Sequence, residues 1–180
     1  MIQFNKYLLI YGDDLMKIHI IGCSGSGKTY FAKMLSNKYN IPHYELDDIF
    51  WDHNSNKYDT KMPIEKRNDL LNDILSKDSW IIEGVYVFFV AESFKNADII
   101  YVLNIPKYIC KIRIVIRFLK RKLKIEKGKT EKFKSIYRLF KNVDIFANEK
   151  LIYIKQILKN YEDKVVWISD PQEIDKIINS

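Results

Sequence analysis

Residues Gly22-Cys23-Ser24-Gly25-Ser26-Gly27-Lys28-Thr29 follow the spacing G-x-x-x-x-G-K-[ST] and hold three of the chain's six glycines. That spacing asks for a strand, a tight glycine turn and then a helix, so that successive backbone N–H groups converge at the helix's positive end. The flanks comply. Lys17-Ile18-His19-Ile20-Ile21 is a short apolar run suited to a buried strand, and Thr29 to Tyr39 carries Phe31, Leu35 and Lys38 at helical spacing before Asn40 and Pro42 stop it. A glycine-serine surface turn would need irregular flanks, so the segment reads as a phosphate-binding loop. Gly22, Ser24, Gly25, Ser26 and Gly27 then surround a nucleotide's phosphates, Lys28 reaches the β- and γ-phosphates, and the Thr29 hydroxyl binds a metal. ATP and Mg²⁺ are the cofactors implied.

At 180 residues, with 47% hydrophobic and 29% charged side chains, the chain suits one globular domain. Its longest apolar run, Val85 to Ala91, is far too short to span a bilayer, so no membrane partner is expected. Met1 to Leu15 combines Leu8-Leu9-Ile10 with Asp13-Asp14 and lacks a positive leader and a small-residue cleavage site. It reads as an N-terminal extension before a single domain over 16–180, with Met1 or Met16 as the start, and a cytoplasmic location follows. The two cysteines, Cys23 and Cys110, have no metal-ligand spacing and read as incidental thiols. A net charge of +7 fits anionic partners of any kind, and much of the excess lies between Lys107 and Lys134.

Further short apolar runs, His43 to Leu46, Trp80 to Ile82, Asp98 to Leu103 and Val165 to Ile168, read as strands. Helical patterns separate them. Pro63 opens a stripe of Ile64, Leu70, Leu71, Ile74 and Leu75; Leu151, Ile154, Ile157 and Leu158 form another; Pro171 to Asn179 closes the chain. This alternation predicts a parallel sheet with helices on both faces, and right-handed crossovers bring Asp47, Glu83, Gly84 and Asn104 to the edge that carries the phosphate loop.

Asp47, after the second strand, can hold a metal-bound water or accept a proton from an attacking hydroxyl, or it can cap the next helical turn. Gly84 would let an acceptor approach the backbone, Glu83 would contact that acceptor or the metal, and Tyr86 either joins them or packs inward. Trp51 begins a stretch to Pro63 that, with Tyr86, would choose the acceptor. Between Pro106 and Lys124 the apolar Tyr108, Ile112, Val115, Ile116, Leu119 and Leu123 alternate with basic residues in an amphipathic helix. Three readings compete for its basic face. Arg113, Arg117 and Arg121 recur every four residues and could neutralise a transferring phosphoryl group; the helix could face nucleic acid or an anionic membrane; or it could simply be solvated. With the first reading, residues 107–134 form a small basic lid whose tip lies at Lys124 to Lys134. His19 reads as packed, and His43 and His53 show no metal-ligand spacing.

The phosphate loop, Glu45-Leu46-Asp47-Asp48-Ile49-Phe50-Trp51, Trp80-Ile81-Ile82-Glu83-Gly84-Val85-Tyr86 and Ala97-Asp98-Ile99-Ile100 together resemble the P-loop kinase-like proteins labelled DNA topology modulation proteins, relatives of adenylate and shikimate kinases. The resemblance covers Met16 to about Arg121. It implies a three-layer α/β P-loop NTPase fold with a five-stranded parallel sheet in the order 2-3-1-4-5, ATP with Mg²⁺, and transfer of the γ-phosphoryl group to a small-molecule or nucleotide acceptor. By position it implies roles for Lys28, Thr29, Asp47, Arg113 and Arg117. Val85, Ser93 and Asn104 depart from the pattern, where relatives carry Asn, Arg and Asp. The alternative is a nucleotide-dependent DNA-associated protein with little kinase activity. Nucleic acid is the less favoured partner, since the basic residues lack interleaved aromatics. The chain is expected to be a monomer or a homodimer.

Overall fold

Strand β1, Lys17–Gly22, is buried at every position after Lys17, as a central strand covered on both faces must be. The structure is a computed structural model that describes residues 16–52, 60–125 and 133–179. The N-terminal extension, His53 and most of the expected lid tip lie outside the described residues. Five strands pair in the order β2-β3-β1-β4-β5, all parallel, as the resemblance implies. β2 is His43–Glu45, β3 Trp80–Gly84, β4 Ile99–Leu103 and β5 Val165–Ile168. The register sets Ile21 beside Gly84 and Val102, so the strands end together at the edge where the phosphate loop leaves β1.

Helix α1, Lys28–Tyr39, buries Phe31, Ala32, Leu35 and Tyr39 against the sheet and ends on Asn40, whose φ of 53° is the left-handed geometry an asparagine tolerates. Two strand ends differ from their sequence expectations. β2 stops at Glu45 because Leu46 already begins helix α2, Leu46–Phe50, so Asp47 and Asp48 lie in that helix's first turn. β3 continues through Glu83 and Gly84, which are buried in the ladder rather than in a turn after it.

Helix α3, Ile64–Leu75, buries only Leu71 and Ile74, and Ile64 and Leu70 turn outward. Helix α4, Ala91–Asn96, precedes β4, and α5, Lys107–Lys122, follows it. In α5 only Cys110 and Ile114 are buried. Its apolar stripe of Tyr108, Ile112, Ile116, Leu119 and Leu123 is exposed, because the helix lies with its arginine side against the phosphate loop. α6, Phe133–Ile145, packs on α5 and continues through a π-helical turn, Phe146–Lys150, into α7, Leu151–Leu158. Of the expected stripe in α7, Leu151, Ile154 and Leu158 are buried. The last helix, α8, Pro171–Asn179, starts on a reciprocal cap: Asp170 Oδ1 accepts from the Gln172 amide and Glu173 Oε1 from the Asp170 amide, both at 2.9 Å. No helix among the described residues is long and apolar enough to cross a membrane.

His19 and Ser93 are both fully buried and hydrogen-bonded to each other through Nδ1 and Oγ, which gives Ser93 a structural partner in the core. Burial holds the imidazole neutral, with its pKa pushed down to about 3. The unfolded chain takes up a proton near the ordinary value of about 6.5 and the folded chain does not, so unfolding is favoured as pH falls from about 6.5 toward 3. Denaturant titrations should show stability declining through that window, and a His19→Gln variant should lose much of the decline.

Candidate active site

A cleft of about 860 Å³ opens at the carboxyl edge of the sheet, lined by the phosphate loop, by Glu45, Asp47, Glu83 and Gly84, and by Arg113, Arg117 and Arg121 from α5. The loop's shape depends on Gly25. Its φ is +80°, and a Cβ there would meet the Cys110 carbonyl oxygen at 2.4 Å, so the start of α5 presses on the loop at a point where no side chain fits. Arg113 ties the two together by donating from Nη1 to the Ser26 carbonyl at 3.1 Å. Cys23 and Cys110 also meet here, with Sγ atoms 3.5 Å apart, which their separation in sequence concealed. Both are free thiols, and their mutual hydrogen bond lowers the Cys23 pKa.

Lys28 arches over the loop, its Nζ 3.2 Å from the Cys23 carbonyl oxygen and 3.7 Å from Glu83 Oε2. Thr29 Oγ1 donates to Glu83 Oε1 at 2.5 Å. Glu83 therefore faces the phosphate loop, where it holds the Thr29 hydroxyl and lies beside Lys28. Gly84 serves packing. A Cβ there would come within 2.7 Å of Leu46 Cδ1, so the missing side chain makes room for α2.

Asp47 faces the cleft from the other side, exposed, and accepts from the Tyr86 hydroxyl at 2.7 Å. The Trp51 side chain hydrogen-bonds Tyr86 in turn, and Phe50 stacks on the Tyr86 ring at 4.4 Å. Burial and Asp47 together push the phenol's pKa up, so Tyr86 remains a donor. Trp51 and Tyr86 are not part of the cleft wall; they stand behind Asp47 and orient it. Gly22 and Ser26, also loop residues, are buried and not part of the cleft wall, Ser26 fully so. Asn104 is apart from the cleft and lines a separate hollow of about 590 Å³ with Lys155 and Trp167.

Two residues of the wall, Glu45 and Lys33, are not among the site residues expected from the sequence. Glu45 sits beside Glu83 in the β2–β3 register, and Lys33 Nζ lies 4.0 Å from Glu45 Oε1. Burial first, then Glu83, raises the Glu45 pKa. His43, expected to lack metal-binding company, shares a cluster with these two glutamates, and burial lowers its pKa. Lys28, Lys33, Arg113, Arg117 and Arg121 outnumber Glu45, Asp47 and Glu83 around the cleft, which favours an anionic ligand. A smaller hollow of about 360 Å³ shares Gly27, Tyr30 and Arg113 with the cleft and extends it toward Pro171 and Ile174.

A family described as AAA domain matches residues 18–134. The adenylate kinase of Wigglesworthia glossinidia brevipalpis is 42% identical over 33% of this chain and 28% of its own length. That of Clostridium kluyveri is 31% identical over 51% of this chain and 54% of its own. An uncharacterized protein of Bacillus subtilis, YqaC, is 29% identical over 50% and 49% respectively. The chain thus spans about half or less of the curated relatives it matches. A gluconokinase from Sinorhizobium meliloti 1021 superposes with a TM-score of 0.52 at 12% identity, covering 91% of this chain and 87% of that one, which shows a shared fold.

Proposed function

This chain belongs to the AAA domain family, and from that membership we propose that it is an ATP-dependent phosphotransferase acting on a small-molecule or nucleotide acceptor. The observation that carries the reading is a single cleft in which a phosphate loop, three arginines and an opposing carboxylate face one another. Positive charge holds the donor's polyphosphate, and Asp47 stands where an acceptor hydroxyl would enter. The adenylate kinases among the relatives support a nucleotide as donor.

The residues present fit Mg²⁺. Thr29 and Glu83 offer an all-oxygen pair of the kind that hard cations prefer. When bound, the ion supplies charge neutralisation on the phosphates. The chain does the rest. Loop amides and Lys28 hold the donor phosphates, Arg113 and Arg117 offset charge spreading over the transferred group, and Asp47 accepts the acceptor's proton as its oxygen bonds to the γ-phosphorus and the bond to the β-phosphate oxygen breaks. Trp51 and Tyr86 orient Asp47, and the smaller hollow beside Gly27 and Arg113 takes the nucleoside end.

The topology-modulation reading would need a basic surface facing outward. In α5 Arg113, Arg117 and Arg121 line the cleft, leaving Lys120 and Lys122 exposed beside Leu119 and Leu123.

Labelled ATP offered with nucleoside monophosphates, nucleosides, small alcohols and oligonucleotide ends tests the proposal. One acceptor class should be phosphorylated in a Mg²⁺-dependent way. If none is, and the chain instead binds duplex DNA with a steep salt dependence, the kinase reading fails.

A further inference from the structure

We propose that His43, Glu45 and Glu83 form a binding site for one divalent transition-metal ion next to the phosphate loop, distinct from the Mg²⁺ position at Thr29. The backbone assembles the three. Along β2 the side-chain period of two puts His43 and Glu45 on one face, and the parallel register sets Glu45 directly beside Glu83 of β3. One ligand atom from each residue lies within 4.8 Å of the others. Donor atoms about 2.0–2.2 Å from a zinc ion stand within that span, so small side-chain rotations complete the site.

Two features of the cluster ask for a cation. Like charges in adjacent strand positions repel, and here the second carboxylate is buried, with Glu83 only 4% exposed. The lysines answer this incompletely. Lys28 is shared between Glu83 and the Cys23 carbonyl, and Lys33 reaches Glu45 only at 4.0 Å from a side chain 63% exposed, which can swing into solvent. Independently, His43 Nε2 is buried without a hydrogen-bond partner, which is costly for an imidazole nitrogen unless something outside the chain satisfies it.

The ligand set selects the ion. An imidazole with two carboxylates suits zinc, cobalt or manganese, whereas magnesium and calcium take oxygen ligands alone. Three protein ligands leave a coordination position free for water or for an oxygen of whatever occupies the cleft, which Glu45 and Glu83 both line. Glu83 Oε1 accepts from Thr29, so Oε2, now 3.7 Å from Lys28 Nζ, is the oxygen that would turn to the new site. The inference does not depend on the reaction proposed above, because it concerns metal binding without nucleotide.

Co²⁺ titrated into the full chain without nucleotide, followed by calorimetry and visible absorption, tests it. The expected result is one equivalent bound, with d–d bands and no thiolate-to-cobalt charge-transfer band. Affinity should fall at least tenfold in His43→Ala and in Glu45→Gln and stay within about twofold in Asp47→Asn, whose carboxylate lies in the same cleft outside the cluster. Thermal melts check that each variant folds, and His43→Gln replaces His43→Ala if that one does not. Absence of binding to the wild-type chain, equal binding by the His43 and Glu45 variants, or a thiolate band pointing to Cys23 and Cys110 would each overturn the site. Loss of phosphotransfer with Co²⁺ binding intact would instead count against the kinase reading alone.

Discussion

Lys28→Ala is expected to lower phosphoryl transfer by roughly 10²–10³-fold, the usual cost of removing one preorganised donor from a water-excluded site. The size follows from where the ammonium is held. Its contact with the Cys23 carbonyl at 3.2 Å bends the side chain back over the loop, so the charge is aimed at the phosphates before any ligand arrives. Arg113 cannot replace it, because its Nη1 is engaged with the Ser26 carbonyl on the other side of the loop. The substitution has a second consequence. Glu83 would keep the Thr29 hydrogen bond but lose its cation while still beside Glu45, so a modest drop in melting temperature should accompany the loss of activity. Transfer from labelled ATP and a thermal melt on the same preparation separate the two effects. Unchanged transfer in a folded variant would remove the phosphate loop from the reaction.

What the sequence disclosed and what it withheld divide along the range of the interactions. The phosphate loop, the stop at Asn40 and the start at Pro171 are each decided within a few residues by glycine spacing, by a left-handed cap and by a proline with a glutamate two positions on, and all three stand as expected. The order of strands came from the family likeness and holds. The role of Glu45 and the company of His43 depend on the β2–β3 register, a pairing between segments nearly forty residues apart that no local pattern encodes. Likewise Cys23 and Cys110 are joined only by the packing of α5 on the loop. That helix is the instructive case. Its wheel has one apolar and one basic face, and periodicity alone cannot say which turns inward; here Arg113, Arg117 and Arg121 turn toward the cleft on the same side as the buried Cys110 and Ile114. Ile64 and Leu70 mislead for the same reason: the stripe they belong to is wider than the face that α3 presents to the core.

Asp47→Asn separates chemistry from scaffolding on the acceptor side. If Asp47 accepts the acceptor's proton, the amide should lower kcat by roughly 10²–10⁴-fold and leave KM for ATP within about twofold, since the donor sits on the opposite wall. Tyr86→Phe then supplies the contrast. The phenol touches Asp47 at 2.7 Å and is itself held by Trp51 and by the Phe50 ring, so removing its hydroxyl frees the carboxylate to rotate while leaving it in the cleft. A smaller fall in kcat, about tenfold, is the expected result for a residue that only orients. Should the two variants give equal losses, accompanied by equal drops in melting temperature, Asp47 is a partner of Tyr86 in holding α2 to the loop after β3, and the proton must leave the acceptor by another route.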